Sequence, residues 1–222
     1  MSETEVITSI EPDSRGAGAL RVNVNGRAFC TIPGTVGQEL ALRPGMVLDE
    51  VLRERLGQAA DAQAAFRFIL AALGRRGFAR RDLERRLVHR GHPREAARSA
   101  LDRAAAAGLL DDREFALSYA QIKSARGRGP ARLLRDLFAM GVDREVADEA
   151  IAAAWAGENT QANASLALAR KRAAQLGNLP RPAKRRRLLA YLARRGFTGR
   201  EVGAIVSRVL ATETLAGSES IR

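Results

Sequence analysis

Four residues near the middle of the chain have the types that catalytic and metal sites use: Asp111, Asp112, His89 and His92. Two adjacent carboxylates could act as a general acid and base, and two imidazoles could bind a metal. The acids have a simpler explanation, because Asp111-x-x-Glu114 resembles a capping box, whose acids stabilise the start of a helix. The histidines lack a nearby cysteine or third ligand. We therefore predict a helix start here, no metal or cofactor site, and a protein that is not an enzyme.

The arginines are the other candidate functional residues, because a guanidinium binds phosphate or carboxylate through paired hydrogen bonds. A run of charge is usually a solvated face, but these runs recur at the turn before a helix and at the end of that helix. This recurrence favours a track for a phosphate backbone or an acidic protein surface. The predicted contact residues are Arg126, Arg128, Arg132 and Arg135 in the central part, Arg75, Arg76, Arg80 and Arg81 before it, and Lys184, Arg185, Arg186 and Arg187 after it.

The turn Gly127-Arg-Gly129 lies among the central arginines and precedes a helix that starts with Pro130. It fits an interhelical turn, and it is also a candidate phosphate contact because helix N-termini attract anions. The two roles are compatible, and the sequence favours neither. Phe78 and Phe197, which follow other arginine pairs, are predicted to be core residues rather than platforms for stacked bases.

The net charge of +12 is unevenly distributed. Residues 1–60 contain six arginines against eight acids, whereas the rest contains 31 basic against 17 acidic residues. A helical polycation predicts an anionic partner, and nucleic acid, or a complex that contains it, is favoured over a membrane or an acidic protein. The helices lack the bulky apolar face of membrane-surface helices, and there is no apolar run of about eighteen residues to span a bilayer.

The rest of the composition bears on fold class and compartment. Aromatic residues are only 5% of the chain, so the apolar content is mostly alanine and leucine, which favours packed helices. Cys30 is the one cysteine, which fits a reducing cytosol, and the acidic N-terminus lacks the basic and apolar segments of a secretory leader. A cytoplasmic location is expected.

The first part of the chain is predicted to be β-rich. Residues 5–10 are rich in β-branched side chains, and residues 19–33 alternate around Asn25-Gly26, a strong hairpin signal. A turn is predicted at 42–45, followed by a short helix at 49–56. A break is predicted at 57–60, which would separate this small module from the rest.

From Asp61 onward, apolar spacing and Gly or Pro punctuation predict helices. The nine predicted helices cover 61–73, 80–90, 93–108, 111–126, 130–140, 143–156, 160–176, 182–195 and 199–211.

The sequence pattern around Gly91 recurs around Gly141 and Gly196, and each time an Arg-Glu pair follows shortly after the glycine. Each glycine is predicted to end a helix in a left-handed turn. A recurring local pattern predicts a tandem array. The predicted fold is mainly α: three three-helix, helix-turn-helix-like repeats in an elongated array behind a small β-rich N-terminal module. The predicted bounds are 1–57 for the module, 61–108, 109–157 and 158–212 for the repeats, and 213–222 for a flexible tail.

Over residues 61–212 the chain resembles the RecX family of bacterial recombination regulators. The most specific likeness is in the central repeat, and Arg76–Leu87 is similar to the first-repeat pattern. The central residues that carry it are Leu110-Asp-Asp-Arg-Glu-Phe-Ala116, Tyr119, Gly127-Arg-Gly-Pro130 and Leu133 to Gly141. The third repeat departs from its neighbours by one inserted residue, Gly199.

The resemblance implies a non-enzymatic modulator of RecA. Such a protein is expected to bind RecA, to lie in the groove of its filament on single-stranded DNA, and to limit strand exchange and ATP hydrolysis in DNA repair and the SOS response. It is also expected to bind DNA without sequence preference and to be a monomer. The alternative is a stand-alone helical DNA-binding protein, a transcription or architectural factor, with sequence-preferring duplex binding.

Overall fold

The computed structural model describes residues 4–14, 16, 18–156 and 160–219, with side chains as far as Thr212. Within these residues the chain has three β-strands and ten α-helices, and it divides into two compact units, Met1–Asp111 and Asp112–Arg222. The mainly helical fold with one small antiparallel sheet confirms the predicted fold class. None of the described helices is long and apolar enough to cross a lipid bilayer.

The first unit begins with a three-stranded antiparallel sheet of β1 (Ile7–Pro12), β2 (Ala19–Val24) and β3 (Arg27–Pro33), with β2 in the middle. Asn25 and Gly26 join β2 to β3 with φ angles of 47° and 74°. Positive φ at both turn residues matches the right-handed twist of paired strands, which is why Asn-Gly is favoured there. The predicted hairpin is therefore confirmed.

A short helix, α1 (Gly34–Glu39), follows β3 directly and was not predicted. The turn predicted at 42–45 is confirmed, and Gly45 adopts a φ of 89° while its N–H donates to the carbonyl of Ile7. The sheet buries Ile7, Val22 and Ile32 completely, and these side chains form the core of the N-terminal part.

Helix α2 (Glu50–Leu73) runs through the break predicted at 57–60, so that prediction is wrong. An internal glycine costs about 1 kcal/mol relative to alanine, which made Gly57 resemble a helix end. Leu56 and Ala59 are buried in the core that the sheet forms, and this burial offsets the cost of the exposed Gly57.

The second half of α2 packs mainly on α4 (Arg94–Ala106) and also contacts α3 (Arg80–His89). One helix therefore belongs both to the sheet core and to the first three-helix set (α2–α4). Phe78 is 8% exposed and packs in the core of this set, which confirms its predicted place. The fully buried core side chains of the set include Ala65, Ile69, Leu83, Leu87, Ala97 and Ala104.

The second unit contains two further three-helix sets. The second set is α5 (Asp112–Ala125), α6 (Pro130–Met140) and α7 (Arg144–Ala154), and the third is α8 (Gln161–Ala174), α9 (Arg181–Arg195) and α10 (Arg200–Glu219). α5 packs mainly on α7, and α8 mainly on α10. The predicted end of the last helix at 211 is wrong, because α10 continues to Glu219. The rest of the predicted tail, 220–222, lies outside the described residues.

The three repeated glycines have nearly the same backbone. Gly91, Gly141 and Gly196 have φ angles of 89°, 87° and 91°, which confirms the predicted left-handed helix ends. In each case the N–H after the glycine donates to the carbonyl five residues earlier, the hydrogen bond of a Schellman motif. These bonds are His92 to Leu87 at 3.1 Å, Val142 to Leu137 at 3.0 Å and Phe197 to Leu192 at 3.0 Å.

Candidate functional site

The four central arginines lie where the second set turns from α5 into α6. Arg126 and Arg128 belong to the turn, and Arg132 and Arg135 to the first half of α6. Arg126 and Arg135 are exposed and form no ion pair within the described part of the chain. Arg135 Nε donates only to the carbonyl of Ala131, one turn earlier, at 3.3 Å. These two guanidinium groups are therefore open to an anion at the surface.

Arg128 and Arg132 have a different environment, because both bind the carboxylate of Asp136. Arg128 Nη1 lies 2.5 Å from one Asp136 oxygen, and Arg132 Nε lies 3.0 Å from the other. The hydroxyl of Tyr119 donates to Asp136 at 3.3 Å and accepts from Arg128 at 3.0 Å. We call Tyr119, Arg128, Arg132 and Asp136 the Asp136 cluster.

Burial, with the nearby charge of Asp136 as the next cause, raises the pKa of the Tyr119 phenol. The phenol therefore keeps its proton at neutral pH and remains a donor. Sequence reasoning placed Tyr119 on a helix and did not consider Asp136. One signal was available, since Arg132 and Asp136 have the i,i+4 spacing of a helical ion pair. Nothing in the local pattern links Tyr119, which lies on the preceding helix.

The backbone at the start of α6 does not form a phosphate cradle. The N–H of Gly129 donates to the carbonyl of Arg195 at 2.7 Å, and the N–H of Ala131 donates to the carbonyl of Gly196 at 3.1 Å. These amides are thus bound to the C-terminal end of α9. The segment is therefore the interhelical turn that was one of the two predicted roles. A contact with phosphate, the other role, would have to be made by the arginine side chains.

The side chain of Arg195 also holds this turn in place. Its Nη1 donates to the carbonyls of Arg126 at 3.4 Å and Gly127 at 3.3 Å, just beyond the C-terminal end of α5, where a cation is electrostatically favoured. Its guanidinium also lies 5.0 Å from the centre of the Tyr191 ring. Arg195 therefore has a structural role in placing the central turn.

The first-set arginines lie in the turn before α3 and in its first residues. Arg76 is exposed, with its guanidinium carbon 3.8 Å from the centre of the Phe78 ring, and Arg80 pairs with Asp102 at 2.5 Å. Arg75 and Arg81 are exposed. The structure therefore uses Phe78 as a core residue whose ring supports a surface arginine through a cation–π contact.

The third-set residues Lys184, Arg185, Arg186 and Arg187 lie in the first two turns of α9. Successive helical residues point about 100° apart, so the four do not share one face. Arg185, Arg186 and Arg187 are exposed and Lys184 is half-buried. The first turn of α9 contains no acid, so no carboxylate of that turn offsets the positive end of the helix dipole where these cations begin.

The acidic and histidine residues considered above as catalytic or metal-binding candidates lie at helix ends. Asp112 lies in the first turn of α5, which confirms the predicted helix start there. The His92 ring lies 6.3 Å from that of Phe68, and His89 is exposed in the last turn of α3. Among the described residues, no three His, Cys, Asp or Glu side chains come together as metal ligands.

Comparison with known proteins identifies the class. A model of the RecX second three-helix domain matches residues 111–151, and a model of the RecX third three-helix domain matches residues 160–206. These matches fall on the second and third sets, so the chain is a tandem three-helix repeat protein, as predicted.

Relatives and solved structures agree with this. The regulatory protein RecX of Xanthomonas axonopodis pv. citri is 36% identical over 135 residues, which is 61% of this chain and 81% of the relative. That of Mycolicibacterium vanbaalenii is 35% identical over 149 residues, 65% and 81% of the two chains. A crystal structure of regulatory protein RecX superposes with a TM-score of 0.75 at 21% identity and covers 92% of this chain and 99% of its own. RecX from Lactobacillus salivarius superposes with a TM-score of 0.59 at 19% identity, over 67% and 96%. The chain belongs to the RecX family of regulatory proteins.

Proposed function

We propose that this chain binds RecA and the RecA filament on single-stranded DNA, and that it inhibits the recombinase and ATPase activities of RecA. It acts as a cytoplasmic monomer in DNA repair and SOS regulation, and it contacts DNA without sequence preference. Membership of the RecX family supports a regulatory role directed at RecA. The predicted division of residues 61–212 into three three-helix repeats is part of the same proposal, with the N-terminal module joined to the first repeat through α2.

The observation that supports the proposal most directly is that Arg126 and Arg135 are exposed and not neutralised by any carboxylate that the structure describes. Both lie in the second three-helix set, both are exposed, and neither is neutralised by a carboxylate within the described residues. Exposed guanidinium groups without a local counter-ion attract phosphates or surface carboxylates of a partner. The filament offers both kinds of anion.

The experiment measures ATP hydrolysis by RecA on single-stranded DNA as this chain is added. We expect the wild-type chain to inhibit hydrolysis and the double variant Arg126→Ala, Arg135→Ala to need about thirtyfold more protein, since two exposed charge contacts of roughly 1 kcal/mol each are lost. Replacing Arg128 and Arg132 with glutamate is a poorer test, because those two side chains also bind Asp136 and their loss would disturb the fold of the turn.

The matched control removes two other exposed arginines, through Arg98→Ala and Arg113→Ala. Their side chains are 65% and 69% exposed and pair with Glu95 and Glu149, neither of which belongs to the central turn. The control should inhibit like the wild type. Equal loss in both variants would assign the effect to net charge, and a wild-type chain without effect on RecA would refute the proposed function.

The sequence preference and the salt dependence of DNA binding together distinguish the proposed function from the alternative, a stand-alone DNA-binding protein. A stand-alone DNA-binding protein would prefer particular duplex sequences in the absence of RecA. We expect binding that does not discriminate between sequences and that weakens steeply with salt, because phosphate contacts release counter-ions. Sequence-preferring duplex binding would favour the alternative.

A further inference from the structure

Asp136 is the acid that neutralises half of the central arginine group. Its side chain is 15% exposed, whereas those of Arg128 and Arg132 are 38% and 45% exposed. The carboxylate is therefore largely covered, while both guanidinium groups still reach solvent. Asp136 is also the only acid in the sequence of α6.

The donors that converge on Asp136 come from three elements. Tyr119 lies on α5, Arg128 in the turn and Arg132 on α6, and each places a donor within 3.3 Å of the carboxylate. Two guanidinium groups and a hydroxyl around one anion are also the donors with which proteins bind a phosphate. The same donors could bind a phosphate oxygen only after the carboxylate has moved away.

We propose that Asp136 is an internal competitor for backbone phosphate, which holds Arg128 and Arg132 in place and lowers the affinity of the chain for free single-stranded nucleic acid. This inference rests on the proposed contact between the central turn and the nucleic acid. A single strand must displace the carboxylate before it can bind the N–H groups of Arg128 and Arg132 that now hold Asp136. Arg126 and Arg135 can bind without that step, so they make the first contact.

The test replaces Asp136 with asparagine, which keeps the size and an acceptor for Tyr119 but removes the charge. Binding to a short labelled oligothymidylate is measured by fluorescence anisotropy over a series of salt concentrations. We expect Asp136→Asn to bind about fivefold more tightly at low salt, the effect of one partly exposed ion pair. The slope of log K against log salt should steepen by about 0.7 for each additional phosphate that the variant neutralises.

The chain offers a control with the same change of net charge. Asp148 on α7 pairs with Arg144 at 3.0 Å in the same i,i+4 arrangement, but its side chain is 52% exposed. Asp148→Asn should tighten binding by less than about twofold, because an exposed pair is screened by solvent. In a background of Arg128→Ala and Arg132→Ala, the tighter binding of Asp136→Asn should disappear.

Equally tighter binding in both asparagine variants would overturn the inference, and so would tighter binding that persists without the two arginines. Unchanged binding by Asp136→Asn would also overturn it, provided that the circular dichroism of the variant shows native helix. If neither the wild type nor the variant binds the oligonucleotide, the inference also fails. Its failure is distinguishable from that of the proposed function, because RecA is absent from the binding assay and inhibition of RecA is measured separately.

Discussion

Gly91 and Gly196 end equivalent helices, α3 and α9, with the same left-handed backbone and the same Schellman hydrogen bond. Their surroundings differ completely. A Cβ atom added to Gly91 would meet nothing within 4 Å, whereas one added to Gly196 would lie 2.4 Å from the backbone nitrogen of Arg132. The same local motif is open in the first unit and tightly enclosed in the second.

The difference shows that the same glycine helix end can have two structural roles. At Gly91 it ends a helix. At Gly196 it also forms the surface on which the central turn rests, since the Arg195 and Gly196 carbonyls accept hydrogen bonds from Gly129 and Ala131. The positions of Arg128 and Arg132 therefore depend on α9, a helix of the third set.

The two units can be followed separately with native probes. Trp155 is the only tryptophan, is 7% exposed, and makes an edge-on contact with Phe197 at 5.8 Å in the second unit. Cys30 is the only cysteine and lies in β3 of the first unit. Tryptophan fluorescence thus reports on the second unit and thiol labelling on the first.

The largest expected effect is that of Gly196→Ala. The left-handed backbone costs an alanine about 1–2 kcal/mol, and the contact with Arg132 adds an overpacking cost of about 1–3 kcal/mol. We expect a loss of about 3–4 kcal/mol in the free energy of unfolding. The measurement is urea unfolding followed by Trp155 fluorescence.

Gly91→Ala is the matched control for that variant, because it brings the same backbone strain without a contact. We expect it to lose only about 1–2 kcal/mol, measured for the first unit by Cys30 labelling in urea. Equal losses at Gly91 and Gly196 would contradict the second role assigned to the Gly196 corner.

Gly129→Ala should have the next largest effect. Gly129 has a φ of −76°, which suits alanine, so strain is absent. Its Cβ would nevertheless lie 2.6 Å from the Gly196 carbonyl carbon and oxygen, and the two hydrogen bonds across this contact would lengthen. We expect a loss of about 2–3 kcal/mol by Trp155 fluorescence, with unchanged Cys30 labelling. A neutral result would mean that the two backbones are not in close contact.

The effect that is absent at neutral pH concerns the first unit alone. Burial raises the pKa of Cys30 from its ordinary value of 9.0 to about 11, so the folded chain at pH 8 has about a hundredfold less thiolate than the unfolded chain. The stability that this shift contributes is complete below pH 9 and is lost as the pH rises towards 11. Alkylation by iodoacetamide should be slow at pH 8 and accelerate up to about pH 11. A folded rate at pH 8 equal to the rate in urea would contradict this.

Much of the helical framework could be predicted because its boundaries are marked locally. Pro130 begins α6, and the three left-handed glycines end their helices by a rule that involves only six residues. The break predicted at 57–60 was wrong for the same reason. Gly57 has a local signal for a helix end, but the burial of Leu56 and Ala59 is a tertiary effect that a local pattern does not contain.

The candidate site was predictable only in part. The arginines were visible as charge runs, and the pairing of Arg132 with Asp136 has the i,i+4 spacing of a helical ion pair. The pairing of Arg128 with Asp136 crosses from the turn to α6 and has no such spacing. Tyr119 joins the Asp136 cluster from the preceding helix, and the contact of Gly129 with Gly196 joins residues of different three-helix sets. No spacing rule connects such positions, so Tyr119 and the contact with Gly196 could not be predicted from the sequence.

The most direct test of the central claim is retention of RecA by the immobilised chain, with and without single-stranded DNA and a non-hydrolysable nucleotide. We predict that RecA is retained, and that it is retained most strongly when DNA and nucleotide are both present, because the filament then offers phosphates and protein carboxylates together. If RecA passes through under all conditions at low salt, while Trp155 fluorescence shows a folded chain, the account is contradicted.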